Sequence, residues 1–328
     1  MNHFRKALFA GFCFAIPMLL GAGAAQAQQD YPNRPIKLIV PYPPGGGVDT
    51  AARIIAQPLS ERLGQPVVIE NKAGSSGIIG TTVASREKPD GYTLLLGSSG
   101  PHALDKHLFK KLDFDPIKDF TFIALIYNAP TFVVVPANSP FKTVQELVAY
   151  AKANPGKLNY GSSGIGSGQN IGAALFMDAA GFRATHVPYK GTGPMETALV
   201  AGQLDFSVDM PTCLPFVQGG KMRVLGTAWK ERNAALPDIP TLDEMGIPGV
   251  HASNYYGLMG PANMPKDIVD RLNKEVNAIL QTSEMRDRVI RMGFDAGKGT
   301  PEEFKAFAED DLARYGDLFT KIGVEKID

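Results

Sequence analysis

An α/β fold in two similarly built lobes is what this sequence predicts, on three observations. Strand-like apolar runs alternate with helix-length amphipathic segments through nearly all of the 328 residues, the pattern of sheets with helices packed on their faces. The alternation restarts near Phe132. A bare strand-to-helix turn also occurs once in each half, in "IVPYPPGGGVDTAARIIA" (Ile39–Ala56) and in "NYGSSGIGSGQNIGAALF" (Asn159–Phe176).

In the first half, Ile36–Val40, Val67–Glu70 and Tyr92–Leu96 read as strands, with helices at Asp49–Leu63 and Gly77–Lys88. Pro58 is expected to kink or split the first helix. In the second half Phe132–Val135 is a strand, Thr143–Ala153 a helix, Leu158–Tyr160 a short strand and Gln169–Ala180 a helix. His186–Tyr189, Pro194–Ala201, Asp205–Met210 and Met222–Ala228 continue the alternation. A Pro-rich stretch, Leu236–Gly249, precedes the strand-like Tyr255–Met259. Two long helices close the chain. Ile268, Leu272, Val276 and Ile279 mark one, and Phe304, Phe307, Asp311, Tyr315 and Phe319 the other. Each lobe is expected to hold a mostly parallel sheet. Residues 28–127 with 252–328 form one lobe and residues 128–251 the other, with crossings near Tyr127–Pro130 and His251–Tyr256.

The two bare turns carry the functional signal. Glycine lets a backbone bend sharply or come close to a ligand. The first N–H groups of a helix lack partners within it, and its dipole makes that end mildly positive. Such a turn is an anion cradle or simply a tight turn, but one in each lobe suggests opposed helix N-termini closing on one anion.

Composition narrows the setting. The chain is 44% hydrophobic and 20% charged, and its 33 Lys plus Arg equal its 33 Asp plus Glu, so no basic excess points to nucleic acid. Arg5 and Lys6 precede an apolar run from Ala7 to Leu20 and then Ala25-Gln26-Ala27. That is a secretory leader, expected to be cut after Ala27 and to leave an exported, soluble, slightly acidic chain. Cleavage removes Cys13 and leaves Cys213 alone, so no internal disulfide is possible and the core must hold the fold. Cys213 reads as a small buried apolar residue.

Enzyme signatures are missing. Gly97-Ser98-Ser99-Gly100 and Gly161-Ser162-Ser163-Gly164 both fail the G-x-S-x-G elbow, because the second glycine comes one residue early. Gly45-Gly46-Gly47 meets Thr50 where a dinucleotide fingerprint needs its last glycine. His102, His107, His186 and His251 show no metal-ligand spacing and read as structural or solvated. Neither catalytic residue, metal nor cofactor is expected.

Four motifs resemble one family. They are Pro41-Tyr42-Pro43-Pro44-Gly45-Gly46 with Asp49, Tyr160-Gly161-Ser162-Ser163-Gly164, Pro188-Tyr189-Lys190-Gly191, and Leu236-Pro237-Asp238-Ile239-Pro240-Thr241. "LGQPVVIENKAG" (Leu63–Gly74) and "PDGYTLLLG" (Pro89–Gly97) add to the likeness, which covers essentially the whole mature chain. The family is that of the tripartite tricarboxylate transporter solute receptors, also called the Bordetella uptake gene (Bug) family. The resemblance implies a two-lobed periplasmic binding fold of the type II, Venus-flytrap kind. It implies a small carboxylate ligand, gripped by backbone amides, hydroxyls and waters from the two loops, and a membrane permease of one large and one small subunit as partner. The receptor is expected to be a periplasmic monomer. Two departures bear on the ligand. Gln169-Asn170-Ile171-Gly172 stands where the family often has Ser/Thr and then His, and Tyr255 or Tyr256 where it often has tryptophan.

The candidate ligand set draws on those motifs and on the residues beside them and at neighbouring strand ends. In the first lobe it is Tyr42, Pro44, Gly45, Gly46, Gly47, Asp49, Ser98, Ser99 and Gly100, with Tyr255 lining the cleft. In the second it is Ser162, Ser163, Gly164, Ser167, Gln169, Tyr189, Lys190, Gly191 and Asp209. Asp49 would repel an anion and reads more readily as a helix cap that binds loop amides and pairs with Arg53. Ser162, Ser163 and Ser167 suit ligand or cap. Lys190 suits ligand charge or surface. Asp209 suits a ligand amine or neighbouring amides. The ligand itself stays open among citrate, C4–C6 dicarboxylates and aromatic acids. The competing readings are a ligand sensor for a signalling kinase and an exported serine esterase.

Overall fold

The computed structural model describes residues 31–45, 47–322 and 326. The expected leader and its cut after Ala27 lie outside the described residues, as does Gly46. The chain opens with β1 (Ile36–Val40), α1 (Gly47–Leu63), β2 (Val67–Asn71), α2 (Ile78–Ser85), β3 (Thr93–Ser98) and the short α3 (Asp105–Leu108). A long β4 (Phe120–Pro130) runs straight into β5 (Phe132–Pro136). Next come α4 (Val144–Ala153), β6 (Asn159–Ser162), α5 (Gly168–Ala180), β7 (Thr185–Pro188), α6 (Thr192–Val200), β8 (Phe206–Asp209), α7 (Leu214–Gln218) and β9 (Met222–Thr227). The chain ends with β10 (Ser253–Pro261), α8 (Lys266–Leu280), α9 (Ser283–Arg291), β11 (Asp295–Ala296) and α10 (Pro301–Ile322).

These strands form two sheets, ordered β11-β4-β10-β3-β1-β2 and β7-β6-β8-β5-β9. β1 runs parallel to β2 and β3, and β6 parallel to β7 and β8. Every pairing that involves β4, β5 or β10 is antiparallel. The sheets are therefore mixed rather than mostly parallel, and the crossing explains it: a chain that leaves a sheet along β4 and returns along β10 lays these neighbours in opposite directions.

Only Thr131 separates β4 from β5. Its N–H and hydroxyl both donate to the Ala252 carbonyl, at 3.0 and 2.9 Å. The Ala228 N–H donates to the Thr131 carbonyl at 2.8 Å, and the Ala252 N–H to the Ala228 carbonyl at 2.8 Å. Both passages between the sheets are thus tied together at one place.

Each sheet is covered on both faces. α1 and α8 bury Ile54, Ile55 and Leu272 against Leu38 and Leu96, while α2 and α10 place Ala84 and Phe304 against Ile39 and Leu95. In the second sheet α4 and α5 bring Leu147 and Phe176 onto Phe206, and α6 and α7 bring Leu199 and Leu214 onto Phe132. Burying each such side chain contributes ~1.5–3 kcal/mol. A fifth cluster joins the two halves, with Ile171 and Leu175 of α5 against Tyr315, Leu318 and Phe319 of α10.

Two helices differ from expectation. α1 is not split at Pro58, although proline there removes a hydrogen bond. Leu59 and Leu63 beyond it share a core with Ile54 and Ile55 before it, so tertiary packing holds the helix across the gap. A third helix, α9, also stands between the two closing ones. Thr282 caps it by accepting the Met285 N–H, and it buries only Met285 and Val289. Its highly charged sequence hides that narrow apolar face.

Candidate functional site

The glycine and serine loops lie at the carboxyl ends of β1, β3, β6, β7 and β8, where open α/β sheets present ligand sites. In the first half the organiser is Asp49. The loop after β1 curls back so that the Gly45 N–H, at φ +89°, donates to Asp49 Oδ2 at 2.9 Å. Arg53 donates to both carboxylate oxygens, and Asn71 at the end of β2 donates to Asp49 Oδ1 at 3.0 Å and to the Tyr42 carbonyl at 3.0 Å. Burial alone would raise the Asp49 pKa, but these donors outweigh it and hold it at about 2. The acid is therefore a loop clamp whose oxygens are spoken for. Pro44, Gly45 and Gly47 stay exposed around it.

Tyr42 leaves this loop towards β3. Its hydroxyl lies 3.4 Å from Ser98 Oγ. A Cβ on Gly77 or Gly100 would come within 2.9 Å of that hydroxyl, so both positions must be bare for the ring to seat. Ser99 turns the other way: its hydroxyl accepts the Tyr255 N–H at 2.9 Å, and its own N–H donates to Asn254 Oδ1 at 3.2 Å.

Tyr255 does not line the cleft as expected. It is fully buried, edge-on to Phe304 and Phe307. Tyr256, one residue on and so on the opposite face of β10, stands at the start of α1 instead. Its hydroxyl accepts from Asn254 Nδ2 at 3.2 Å and would lie 3.0 Å from a Cβ on Gly47. Burial pushes its pKa up to about 12. Tyr127 packs beside it with its ring tilted and donates to the Gly47 carbonyl at 3.2 Å.

In the second half the organiser is Gln169, which is almost fully buried in the first turn of α5. Its Oε1 accepts the Ser163 hydroxyl. Its Nε2 donates to Thr192 Oγ1 at 3.1 Å and to Asp209 Oδ1 at 3.2 Å. One amide thus links the loops after β6, β7 and β8. The Tyr189 and Gly191 N–H groups donate to the Ser162 and Ser163 carbonyls, at 2.9 and 3.2 Å, binding the β7 loop to the serine loop.

Ser167 caps α5 by accepting the Asn170 N–H, and its hydroxyl donates to the Gly164 carbonyl at 2.7 Å. Gly164 adopts φ +140° and Gly166 φ +76°, both left-handed territory that favours glycine. Ser162 has no exposed surface; its hydroxyl donates to the Gly164 carbonyl and lies 2.7 Å from His186 Nε2. Burial lowers the His186 pKa. Lys190 is exposed at the loop edge.

The structure therefore groups Tyr42, Ser98 and Gly100 in one half, and Ser162, Ser163, Gly164, Ser167, Gln169 and Asp209 in the other. The two halves approach each other. Gly166 packs against Leu108 of α3, and Met210, next to Asp209, packs against the core of the first sheet. The candidate set omits Asn71, Asn170, His186, Thr192, Asn254 and Tyr256, although Asn71 and Asn170 stand in runs that bear on the family likeness and Tyr256 shares with Tyr255 the place where the family often has tryptophan. His186, Thr192 and Asn254 reach the loops only through tertiary folding.

A family model described as the tripartite tricarboxylate transporter family receptor matches residues 51–324. The chain belongs to that family. Among curated relatives it is similar to protein BugT of Bordetella pertussis, 31% identical over 93% of this chain and 94% of the relative. Among solved structures it resembles an R. palustris protein with adipate, at TM-score 0.80 and 32% identity over 91% of this chain and 100% of that one. It also resembles MatC from Rhodopseudomonas palustris with bound malate, at TM-score 0.74 and 33% identity over 88% and 99% of the two chains. As a member of this family the protein is a solute receptor with the two-lobed periplasmic binding fold, not an enzyme. Among the described residues no helix is long and apolar enough to cross a membrane, and no group of His, Cys, Asp and Glu could hold a metal ion.

Proposed function

We propose that this receptor binds a small dicarboxylate between the loop that enters α1 and the loop that enters α5. The observation that carries the reading is the make-up of these loops. Both are glycine-rich strand-to-helix loops, the first held by Asp49 through the Gly45 N–H and the second held by Gln169 through the Ser163 hydroxyl. Arg53 is already paired with Asp49, and Lys190 stands exposed at the edge. An anion gains ~0.3–1 kcal/mol from each helix dipole, up to ~2 when partly buried. Hydrogen bonds to a charged group contribute ~1.5–3 kcal/mol each. A handful of such bonds suffices for micromolar binding without arginine.

Adipate and malate, the ligands named for two relatives, are both dicarboxylates, which favours that class over monocarboxylates and aromatic acids. The receptor then works in the periplasm, after cleavage behind Ala27, as a monomer that delivers its ligand to a permease of one large and one small subunit. A thermal-shift screen over an organic-acid panel tests the reading. An acid at ~100 times its dissociation constant adds about 2.7 kcal/mol of stability, so adipate, malate or a close dicarboxylate raises the melting temperature. A panel without effect would remove the proposal.

A further inference from the structure

Beneath the loops of the second half lies a pair of buried acids with nothing positive beside them. Asp209, at the end of β8, has no exposed surface. Its Oδ1 accepts from Gln169 Nε2 at 3.2 Å and from the Met210 N–H at 2.8 Å, while Oδ2 has no partner. Glu196 of α6 is buried too, with Oε1 unpartnered.

The groups that face Asp209 are Gln169 from α5, Glu196 from α6, and Met210 and Cys213 from the turn after β8; β5 sets only Phe132 opposite it. None of these is a cation. An isolated buried carboxylate is so costly that the group keeps its proton instead. Burial first, and then the Glu196 charge, push Asp209 up to about 7 against the pull of Gln169 and Met210. Burial raises Glu196 as well. The Cys213 thiol is pushed well up by burial and by both acids, so it adds no charge.

Gln169 ties this acid to the ligand loop. Ser163 donates to its Oε1, and its Nε2 reaches Asp209, so Asp209 stands two hydrogen bonds below Ser163. An anion held at the serine loop feels whatever charge Asp209 carries, in a region of low dielectric that screens it poorly.

We infer that Asp209 is the proton-holding floor of the α5 cradle, neutral when a carboxylate is bound, so that ligand binding is coupled to retention of a proton. This deepens the receptor reading and rests on it. The sign is fixed by like-charge repulsion. Binding weakens as pH rises through the ionisation of Asp209, by up to roughly tenfold per pH unit beyond it. By the same coupling, a bound carboxylate raises the affinity of Asp209 for its proton.

Two measurements test it. Infrared titration of the ligand-free protein is expected to show a protonated-carboxyl band lost near pH 7. The band is read in the difference between wild type and Asp209→Asn, which cancels Asp105, the other buried acid pushed up to about 7, and it should move to lower pH in Glu196→Gln. Calorimetry with adipate, in buffers of different ionisation enthalpy, is expected to show proton uptake on binding above neutral pH, and none in Asp209→Asn. Identical carboxyl bands in wild type and Asp209→Asn throughout the titration overturn the assignment. Adipate binding that is equally pH-dependent in Asp209→Asn overturns the coupling. If neither adipate, malate nor any other acid of the panel binds, the receptor reading falls and the coupling with it, while the infrared band still reports the proton on Asp209.

Discussion

Asp49 Oδ2 accepts the Gly45 N–H at 2.9 Å, so an acid in the first turn of α1 shapes the glycine loop that precedes it. Asp49 is thus a scaffold of the loop, and under the proposed reading it shapes the anion site rather than touching the anion. Asp49→Ala frees the loop and strands the Asn71 amide, and should cost about 2 kcal/mol of stability in urea unfolding. Its pKa is lowered, so the contribution is present above the unfolded value of 3.8 and is lost as pH falls through about 2. The gap between wild type and Asp49→Ala should therefore be constant at neutral pH and close only in acid.

The serine loop gives a ranking of variants. Gly164→Val places a branched side chain at φ +140°, and should weaken dicarboxylate binding ~100-fold, or ~2.7 kcal/mol. Ser163→Ala removes the bond that orients Gln169 and should cost ~1 kcal/mol. Lys190→Ala, at an exposed residue, should cost less than either. Calorimetry orders the three, with circular dichroism to show that each is folded. If Lys190→Ala abolishes binding and Gly164→Val binds normally, a side-chain cation holds the ligand.

A buried histidine predicts acid behaviour. His102 has no exposed surface, its Nδ1 lies 2.9 Å from the Pro116 carbonyl, and its ring meets Phe120 edge-on at 4.6 Å. Burial lowers its pKa to about 4, against a small opposing pull from that carbonyl. The lowered value means that its neutral form is built into the fold. Stability from this residue is full above 6.5 and is lost as pH falls towards about 4. Relative to His102→Gln, wild type should lose roughly 3 kcal/mol across that window. Parallel urea curves for the two proteins would contradict the assignment.

Much of this architecture is legible in the sequence, and the failures have physical causes. β1 and α1 stand where apolar runs and periodicity put them, and the glycine and serine turns mark strand ends because bare backbone is conspicuous. The mixed sheet direction is not legible: β4 shows in the sequence only as a crossing near Tyr127–Pro130 and β10 only as Tyr255–Met259, and nothing in either run gives its sense until the crossing at Thr131 fixes it. Tyr255 and Tyr256 differ only by the side of β10 they face, which register decides. Gln169 reads as one polar residue at a helix start. Its role appears only when the loops after β7 and β8 arrive beside it.

The crossing also predicts motion. Two passages hydrogen-bonded around Thr131 and Ala252 make a short hinge, and hinge closure of the two lobes around a ligand is the expected response. Small-angle scattering should show a smaller radius of gyration once a tight dicarboxylate is added. An unchanged radius at saturation would argue for a rigid receptor.

The central claim is that backbone and hydroxyl groups from both loops hold one carboxylate, and a crystal structure with the tightest-binding acid tests it most directly. The account predicts carboxylate oxygens within hydrogen-bonding distance, directly or through one ordered water, of N–H or O–H groups from both Pro41–Asp49 and Ser162–Gln169. A carboxylate held by Lys190, or one that touches a single lobe, would contradict it.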